Sequence, residues 1–350
     1  MLFNNVITYP RVGLRIILPL LAFLLASCSF SPPLPLPTDT QLPSPLPSDL
    51  PAPTPVPPTL TPVKPTTTYP ATETPTQTDI PPTPTETNPP QILRFAVIGD
   101  YGSGNQDERD VADLVKSWDP DLIITTGDNN YPDGASSTID ENIGQFYHEY
   151  IAPYQGSYGA GGQENRFFPS LGNHDWNTAQ AEPYLEYFTL PGNERYYDFI
   201  WGPVHFFAID SDSREPDGVG RSSVQALWLQ SRLEESTSSW KIVYFHHAAY
   251  SSGFHGNVDW MQWPFAEWGA DVVLSGHDHT YERISRGGIT YFVNGLGGMS
   301  RYTFIVPVDG SQVRYNRDYG AMRVEASEST IQFQFVNRLN EVIDTFEITR

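Results

Sequence analysis

The chain has 350 residues, a mass of 39.2 kDa and a formal net charge of −21 at pH 7. Its composition is uneven, because 21 of the 33 prolines lie between Ser29 and Pro90, in a stretch with too few large apolar residues to build a core. The residues from Gln91 onward have the size of one folded domain and carry 17 basic and 36 acidic side chains. A domain this acidic repels polyanions, so nucleic acid is excluded as a binding partner, and an anionic substrate would need bound cations.

The first 28 residues have the pattern of an export signal. Arg11 and Arg15 precede an apolar run from Ile16 to Ala26, which is short for a membrane-spanning helix. The run ends in Leu25 to Cys28, which resembles the bacterial lipobox, whose cysteine is lipidated. Cys28 is the only cysteine in the chain, and the alternative is an incidental thiol. We expect the protein to be exported and held on the outer face of a bacterial membrane, which it contacts through this lipid anchor alone.

Residues 29–90 form the second predicted region, a linker rich in proline and threonine. Such a composition favours extended polyproline II structure, which acts as a semi-rigid stalk. The sequence therefore predicts a leader at 1–28, a linker at 29–90 and one folded domain at 91–350.

Five short apolar runs in the domain end at Gly or at His, beside side chains that bind metals. The runs are Ile92 to Ile98, Leu122 to Thr126, Phe167 to Leu171, Lys241 to Phe245 and Val272 to Ser275. The polar clusters that follow them are 99–102, 127–131, 172–175, 246–247 and 276–279. Short apolar runs bounded in this way are typical of buried strands.

Helical patterns lie between these runs. The spacing of Val111, Leu114, Val115 and Trp118 predicts an amphipathic helix. A second helix is predicted from Val224, Leu227 and Trp228, after a capping signal at Ser222 and Gln225. Strands that alternate with helices indicate an α/β fold with a buried, partly parallel sheet.

In such folds the ligand site lies beyond the carboxyl ends of the strands, so we expect the polar clusters to converge. One histidine after a strand is more often a structural residue than a ligand, but here several share this position. They are His174, His246, His247, His277 and His279, with His255 a few residues further on. His148, in a predicted helix, and His205, in a predicted strand, are interpreted as structural.

Seven side chains in these clusters offer oxygen or imidazole nitrogen. They are Asp100, Asp128, Tyr131, Asn173, His246, His277 and His279. Such donors suit Fe, Mn, Zn or Mg, and the lack of sulfur disfavours a thiolate zinc site. Seven donors are too many for one ion with an open position, but they suffice for two ions that share a carboxylate. This arrangement is used to transfer phosphoryl groups.

Five ordered motifs carry a family resemblance. They are Asp100 to Gly102 (D-x-G), Gly127 to Tyr131 (G-D-x-x-Y), Gly172 to Asp175 (G-N-H-[DE]), Val243 to His246 (V-x-x-H) and Gly276 to His279 (G-H-x-H). The set resembles the calcineurin-like metallophosphoesterases, and within them the purple acid phosphatases, over nearly all of residues 91–350. The resemblance implies that this region is the catalytic domain, a four-layer α-β-β-α sandwich with two mixed sheets. We expect the strand-like segments after His279, at 289–293, 322–324, 331–335 and 342–348, to complete the second sheet by antiparallel pairing.

The resemblance also implies how the donors divide. Asp100, Tyr131 and His279 would bind one ion, Asn173, His246 and His277 the other, and Asp128 would bridge them. Gly102 stands where the broader family often has histidine, and Tyr131 supplies an extra ligand, as in the acid phosphatases. Two carboxylates, a phenolate and a hydroxide carry four negative charges, so a trivalent and a divalent ion leave one positive charge. The expected cofactors are therefore Fe(III) with Fe(II), Zn(II) or Mn(II).

The family's catalytic roles carry over to neighbouring residues. His174 would protonate the leaving group, and Asp175 would orient the His174 ring. His255 would lie on the leaving-group side, although Ala248 and Ala249 replace a proline that is common in related sequences, which would loosen its loop. For His247 a substrate contact and a supporting role stay equally open.

The leading hypothesis is a phosphomonoesterase that acts on small phosphate esters outside the cytoplasm. A phosphodiesterase acting on nucleotides or phospholipid headgroups is the nearest alternative, and a non-catalytic surface binding module is a remote one. The aromatic stretch from Trp260 to Phe265, with Trp268, could form a sugar or base platform, but we interpret it as a packed helix.

Overall fold

The computed structural model describes residues 92–350. The predicted leader, Cys28 and the whole of the predicted linker lie outside the described residues, so the three-part division and the lipid anchor stay predictions. No helix between residues 92 and 350 is long and apolar enough to cross a membrane.

Thirteen strands and four short-to-medium α-helices make up this part of the chain. The strands are β1 (Leu93–Ile98), β2 (Leu122–Thr125), β3 (Phe167–Pro169), β4 (Tyr197–Trp201), β5 (Val204–Ala208), β6 (Trp240–His247), β7 (Val272–Gly276), β8 (Tyr281–Arg286), β9 (Ile289–Asn294), β10 (Ser311–Tyr315), β11 (Gly320–Ala326), β12 (Thr330–Asn337) and β13 (Val342–Thr349). The helices are α1 (Gln106–Ser117), α2 (Gln145–Tyr147), α3 (Glu182–Tyr187) and α4 (Val224–Glu235). A π-helical turn (Asp140–Gly144) precedes α2, and 3-10 turns occur at His148–Tyr150, Asp175–Asn177, Ala179–Ala181 and Asp259–Met261.

The first sheet has six strands in the order β13-β12-β11-β1-β2-β3. β1, β2 and β3 are parallel, so their carboxyl ends lie at one edge. β11 pairs antiparallel with β1, and β12 and β13 continue the sheet outward. The last three strands therefore extend the first sheet and do not complete the second, which corrects the prediction for 322–324, 331–335 and 342–348.

The second sheet has seven strands in the order β10-β8-β9-β7-β6-β5-β4. β5, β6, β7 and β9 are parallel, and β4, β8 and β10 are antiparallel to their neighbours. The segment 289–293 does join this sheet, but it pairs parallel with β7 as well as antiparallel with β8. The strands that precede the polar clusters are thus divided between two sheets, three in the first and two in the second.

The sheets pack face to face through aromatic residues. Phe95 of β1 meets Phe206 of β5 edge to face at 5.0 Å, and Phe292 of β9 lies 5.2 Å from Phe333 of β12. Because alternate residues of a strand face opposite sides, Phe207 points the other way, into a separate core with α4. With α1 packed on the first sheet, the predicted four-layer sandwich with two mixed sheets is confirmed.

Helix α4 forms where predicted, but with a different buried face. Ser223, not Ser222, caps it by accepting a hydrogen bond from the Ala226 N–H. Val224 and Leu227 are mostly exposed, and the core face consists of Ala226, Leu229 and Leu233. Gln225 is buried as well, because its side chain exchanges two hydrogen bonds with the Asp210 backbone.

Two other predictions have different outcomes. The stretch from Trp260 to Phe265 is not a helix beyond the single 3-10 turn at Asp259–Met261, although Trp263 and Phe265 are buried. Trp260 is exposed. The structural interpretation of His205 is supported, since its ring nitrogens contact Asp198 and Ser236 within the second sheet and its helix.

Candidate metal centre and active site

The seven predicted donors lie together where the carboxyl ends of the two sheets meet. Asp100, Asp128, Tyr131 and Asn173 follow β1, β2 and β3 of the first sheet. His246 is near the end of β6, and His277 and His279 follow β7 in the second sheet. Loops from five strands in two sheets therefore supply one cluster of side chains.

The first predicted donor set is closely spaced. Asp100 Oδ1 lies 3.3 Å from His279 Nε2, and the Tyr131 hydroxyl lies 3.4 Å from that oxygen and 3.3 Å from that nitrogen. Ligand atoms of Asp100, Asp128 and His279 all lie within 4.8 Å of one another. Three donors from both sheets thus surround one point.

The second set is equally compact and is joined to the first by Asp128. His246 Nε2 lies 3.0 Å from Asn173 Oδ1 and 3.1 Å from His277 Nδ1. Asp128 Oδ2 lies 2.9 Å from the Tyr131 hydroxyl and 3.3 Å from His246 Nε2, so one carboxylate oxygen touches both sets. This is the position that a bridging carboxylate requires.

The donor spacing fits bound metal ions. Transition metals hold N and O ligands at roughly 2.0–2.2 Å, so ligands at right angles are about 3 Å apart. Two of the imidazoles are also oriented by backbone carbonyls at the ring nitrogen that faces away from the other donors. His246 Nδ1 lies 2.9 Å from the Thr126 carbonyl, and His279 Nδ1 lies 2.9 Å from the Ser300 carbonyl. A hydrogen bond at the far nitrogen fixes the tautomer that presents the other nitrogen to a metal.

The backbone at the site adopts conformations that are uncommon for these residues. Asp100, Asp128 and His277 have φ values of 53°, 52° and 69°, in the left-handed region. Such strain persists only where the surroundings hold it, and it clusters at functional sites. Each of these residues is predicted to bind metal.

Gly102 shows why the first motif has no side chain at this position. A Cβ atom there would lie 1.7 Å from the carbonyl oxygen of Asn129, and the Gly102 carbonyl accepts a hydrogen bond from the Tyr131 N–H at 2.7 Å. The loop after β1 therefore lies directly on the loop after β2. A histidine at 102 could not fit, so the tyrosine of the second loop is the residue that reaches the site.

Comparison with known proteins agrees with this geometry. The family model for calcineurin-like phosphoesterases matches residues 93–281, which is more than half of the chain. The chain belongs to the calcineurin-like phosphoesterase family.

Relatives and solved structures within this family include purple acid phosphatases. Purple acid phosphatase 4 of Arabidopsis thaliana is 26% identical over 296 residues, which cover 71% of this chain and 82% of that protein. The structure of purple acid phosphatase PPD1 from yellow lupin (Lupinus luteus) matches with a TM-score of 0.60 and 17% identity, over 75% of this chain and 54% of that one. GAP50 of Plasmodium matches with a TM-score of 0.58 and 20% identity, over 74% of this chain and 89% of that one.

The chain is accordingly a metal-binding phosphoric ester hydrolase that is similar to the purple acid phosphatases. The family implies a dinuclear metal centre, and the described residues contain a donor cluster suited to one. This agrees with the resemblance drawn from the five motifs.

The protein itself keeps two of the imidazoles neutral. Burial and the neighbouring His246 hold the pKa of His277 far below its usual value and lower the pKa of His247 to about 3. Burial also acts on His246, but the Asp128 carboxylate outweighs it and raises the pKa of His246 to about 10. A metal ligand must present a free lone pair, so metal binding at this site would release protons.

His174 is held with one nitrogen toward the site. Its Nδ1 contacts the Pro132 carbonyl, and its Nε2 lies 4.0 Å from Asp128 Oδ2. Asp175 does not orient this ring, which corrects the prediction. The Asp175 carboxylate is buried and accepts hydrogen bonds from the Gly172 N–H at 2.8 Å and from the Asn129 side chain at 2.8 Å. Asp175 therefore joins the second and third motif loops, and burial together with Asp128 raises its pKa to about 7.

The loop that carries His255 is fixed, although Ala248 and Ala249 led us to expect a looser one. Asp278 Oδ1 accepts a hydrogen bond from the His255 N–H at 2.8 Å, and Glu282 Oε2 accepts one from the Ser252 N–H at 2.7 Å. Both carboxylates are buried. The exposed His255 ring packs on His277 with the ring centres 4.1 Å apart.

His247 lies on the other side of His277 and is 8% exposed. Their ring centres are 4.4 Å apart, and His247 Nδ1 lies 2.9 Å from the Ser211 hydroxyl. The Ser211 hydroxyl is bonded to one of the two ring nitrogens of His247, and this contact favours the supporting role for that nitrogen.

Sequence reasoning missed three residues that contact the predicted ligands. Ser300 contacts His279, and the Tyr302 ring stacks on His279 at 4.1 Å and an interplanar angle of 6°. Arg214 donates a hydrogen bond to the Asn173 carbonyl at 2.9 Å. The glycine-rich segment 295–298 after β9 was a usable signal for the first two, because it is a sixth strand end of the same kind. Arg214 had no such signal.

Proposed function

We propose that this protein is a dinuclear phosphomonoesterase of the acid phosphatase type, which acts on small phosphate esters outside the cytoplasm. The observation that carries the proposal is the convergence of seven donors in two sets that share Asp128 Oδ2. The acidic surface strengthens it, because bound cations would then be the main attraction for a phosphate group.

The donors support a trivalent and a divalent ion. Asp100, Tyr131 and His279 would hold Fe(III), and Asn173, His246 and His277 would hold Fe(II), Zn(II) or Mn(II), with Asp128 between them. When bound, these ions would supply Lewis-acid chemistry, which lowers the pKa of water so that hydroxide is available to attack phosphorus and offsets the charge on the phosphate oxygens. Burial and the neighbouring Asp128 and Asp100 raise the pKa of the Tyr131 phenol well above its usual value, so only a strongly charged cation would favour the phenolate.

His174 would act as the general acid. Because the Pro132 carbonyl holds Nδ1, the other nitrogen can deliver a proton to the departing alkoxide. The exposed ring of His255 would contact the substrate on the same side, and His247 would support His277 or contact the phosphate.

The site of action follows from the leader pattern. The apolar run from Ile16 to Ala26 and the lipobox-like sequence before Cys28 support export and lipidation. We propose that the catalytic domain is anchored on the outer face of a bacterial membrane and that the linker holds it away from the surface.

One experiment tests the metal assignment. The purified enzyme should contain two metal ions per chain and show a phenolate-to-Fe(III) absorption band in the visible range. Tyr131→Phe should remove the band, whereas Tyr158→Phe, an exposed tyrosine, should keep it. An active enzyme that is colourless and contains only zinc would contradict the iron assignment while leaving hydrolysis intact.

The substrate class is tested separately by comparing p-nitrophenyl phosphate with bis-p-nitrophenyl phosphate. We expect the monoester to have the larger kcat/KM. A preference for the diester would favour the phosphodiesterase alternative. Stoichiometric metal binding without hydrolysis of either compound would contradict a catalytic role.

A further inference from the structure

A series of neighbouring aromatic rings includes three histidines of the candidate active site. His277 is in the middle, with His255 on one side and His247 on the other. Phe254 continues the series beyond His255, with ring centres 5.4 Å apart, and Trp260 continues it beyond His247, at 6.1 Å. Tyr302, which stacks on His279, also contacts Phe254 at 5.8 Å and His255 at 5.4 Å.

The two ends of this series are exposed apolar rings. Phe254 is 65% exposed and Trp260 is 45% exposed. The hydrophobic effect stabilises a fold in proportion to the apolar area that is buried, so Phe254 adds little to folding in this exposed position. Single exposed apolar residues are common, but these two flank the proposed substrate-binding histidines.

The exposed ring of Phe254 is attached to a fixed backbone. The residues on both sides of it are tied down, since Asp278 accepts a hydrogen bond from the His255 N–H and Glu282 accepts one from the Ser252 N–H. The Ser251 hydroxyl also donates to Asp278. A ring that is held out in this way can bind a second ring without a large loss of conformational entropy.

The chain segment around Phe254 carries no charged side chain, and two exposed apolar side chains lie on the neighbouring segment. Residues 250–257 contain no Asp, Glu, Lys or Arg. Ile305 and Val306 are 60% and 68% exposed, and the Ile305 N–H donates to the Ser252 carbonyl at 2.8 Å, which places this backbone segment beside the loop of Phe254. The His255 side of the site therefore offers ring faces and apolar surface without a charged side chain in residues 250–257.

We propose that Phe254 binds the leaving group of the substrate, and that the preferred substrates are phosphate monoesters with a planar aromatic leaving group. This inference rests on the proposed phosphomonoesterase function. Phe254 would stack on the leaving group beside His255. The aromatic group can be an aryl ring bonded to the phosphate oxygen or a nucleobase carried on a ribose.

The test compares kcat/KM for three monoesters, 1-naphthyl phosphate, adenosine 5′-monophosphate and glycerol 2-phosphate. Each substrate is compared between wild type and variant, so the different chemical reactivities of the leaving groups cancel. Phe254→Ala should lower kcat/KM for at least one aromatic ester by about tenfold, and for glycerol 2-phosphate by less than about twofold, because only an aromatic leaving group can stack on the ring.

Conservative variants separate stacking from simple apolar contact. Phe254→Trp should keep the aromatic preference, and Phe254→Leu should lose it. Leu339→Ala, which truncates an apolar side chain that is 70% exposed, is the matched control and should change none of the three values. The metal content of every variant should equal that of wild type.

The results distinguish the two sources of the ring. If Phe254→Ala lowers kcat/KM for 1-naphthyl phosphate alone, the site binds aryl esters. If the substitution lowers kcat/KM for the nucleotide alone, the site binds nucleobases. Equal losses for all three esters in Phe254→Ala, or no loss for any, would overturn the leaving-group site and leave the phosphomonoesterase proposal intact. Failure of the wild-type enzyme to hydrolyse any monoester would overturn both.

Discussion

The two sheets supply different chemistry to the same site. The first sheet contributes only oxygen donors, from Asp100, Asp128, Tyr131 and Asn173, and the second contributes only nitrogen donors, from His246, His277 and His279. Neither sheet alone could bind two ions in the proposed way. The site is therefore a property of the packing between the sheets, and its geometry depends on how firmly they are joined.

Hydrogen bonds between the halves provide that connection. Asp100 Oδ2 accepts a hydrogen bond from the His277 N–H at 3.0 Å, and His246 Nδ1 lies 2.9 Å from the Thr126 carbonyl. Residues that are predicted to bind metal thus also join the sheets. The donors of the first sheet form the oxygen half of the site, and those of the second sheet form the nitrogen half. Substitutions should have their largest effect at the junction between the halves, a smaller effect within the oxygen half and a still smaller one within the nitrogen half. The smallest effect is expected far from both halves.

The largest effect is expected at the junction itself, for Asp128→Asn. A neutral amide cannot replace a carboxylate whose oxygen touches both donor sets, so metal content should fall below two ions per chain. We expect kcat/KM to decrease by about 10³-fold or more. Elemental analysis and hydrolysis of p-nitrophenyl phosphate measure the two quantities.

The matched control for this variant is Asp133→Asn, which makes the same change at an exposed position in the loop after Tyr131. It should retain wild-type activity and metal content. An Asp128→Asn enzyme with two bound ions and normal kcat/KM would show that the halves do not share this carboxylate.

Within the oxygen half, Gly102→Ala should separate the loops after β1 and β2. The new Cβ would lie 1.7 Å from the Asn129 carbonyl oxygen, so backbone must move. We expect the free energy of unfolding to fall by about 3 kcal/mol, at the upper end of the usual cost of overpacking, and kcat/KM to fall with it. Urea denaturation measures the first quantity.

Gly220→Ala is the control, because a Cβ atom at Gly220 would meet nothing within 4 Å. Its free energy of unfolding should match wild type. If both glycine variants were equally stable, the close approach of the two loops would not exist in solution.

Within the nitrogen half, Asp278→Asn should move the loop of His255 without removing a ligand. The carboxylate accepts hydrogen bonds from the His255 N–H at 2.8 Å and the Gly256 N–H at 3.2 Å, and an amide can accept only at one of its two positions. Since a hydrogen bond to a charged group contributes about 1.5–3 kcal/mol, we expect kcat/KM to fall about tenfold with two metal ions still bound.

A loss of metal ions in Asp278→Asn would lead to a different conclusion. Asp278 lies between His277 and His279, and the substitution would then act on these ligands and not on His255. Wild-type kcat/KM would mean that the loop does not need this anchor.

The strands before the donors and the layered architecture were predictable from sequence and family resemblance, but the assignment of the later strands to a sheet was not. The strands before Asp100, Asp128 and Asn173 were found because each apolar run ends abruptly in glycine and polar residues. The assignment of strands to sheets failed for β11 to β13, since an apolar run does not encode which neighbour it pairs with.

The same limit applies to side chains. The predicted face of α4 was wrong because buried Gln225 is stabilised by the Asp210 backbone, which is distant in sequence. The donors themselves were predictable from ordered motifs. Arg214 and Tyr302 were not, because only the folded chain brings them to Asn173 and His279.

The smallest effect is expected for Asp198→Asn, on the edge strand β4, which is separated by β5 from the nearest donor-bearing strand, β6. Asp198 on β4 accepts hydrogen bonds from His205 Nε2 at 2.7 Å and from Arg232 of α4 at 2.8 Å. Burial acts to raise the pKa of this carboxyl, but the contacts with His205 and Arg232 outweigh it, so the pKa lies below its usual value.

A carboxyl whose pKa is lower in the folded than in the unfolded chain stabilises the fold while it is ionised, above about pH 4, and this contribution is lost as the pH falls further. Asp198→Asn should therefore lower the free energy of unfolding by about 1 kcal/mol or less at pH 7, and its difference from wild type should shrink below about pH 4. Denaturant titrations across this range measure both values, with kcat/KM at pH 7 unchanged. A stability difference that stayed constant to low pH would mean that the substitution does not act through the charge of the carboxylate. A change in kcat/KM would mean that the edge of the second sheet influences the nitrogen donors, and that the two halves depend on more than their shared junction.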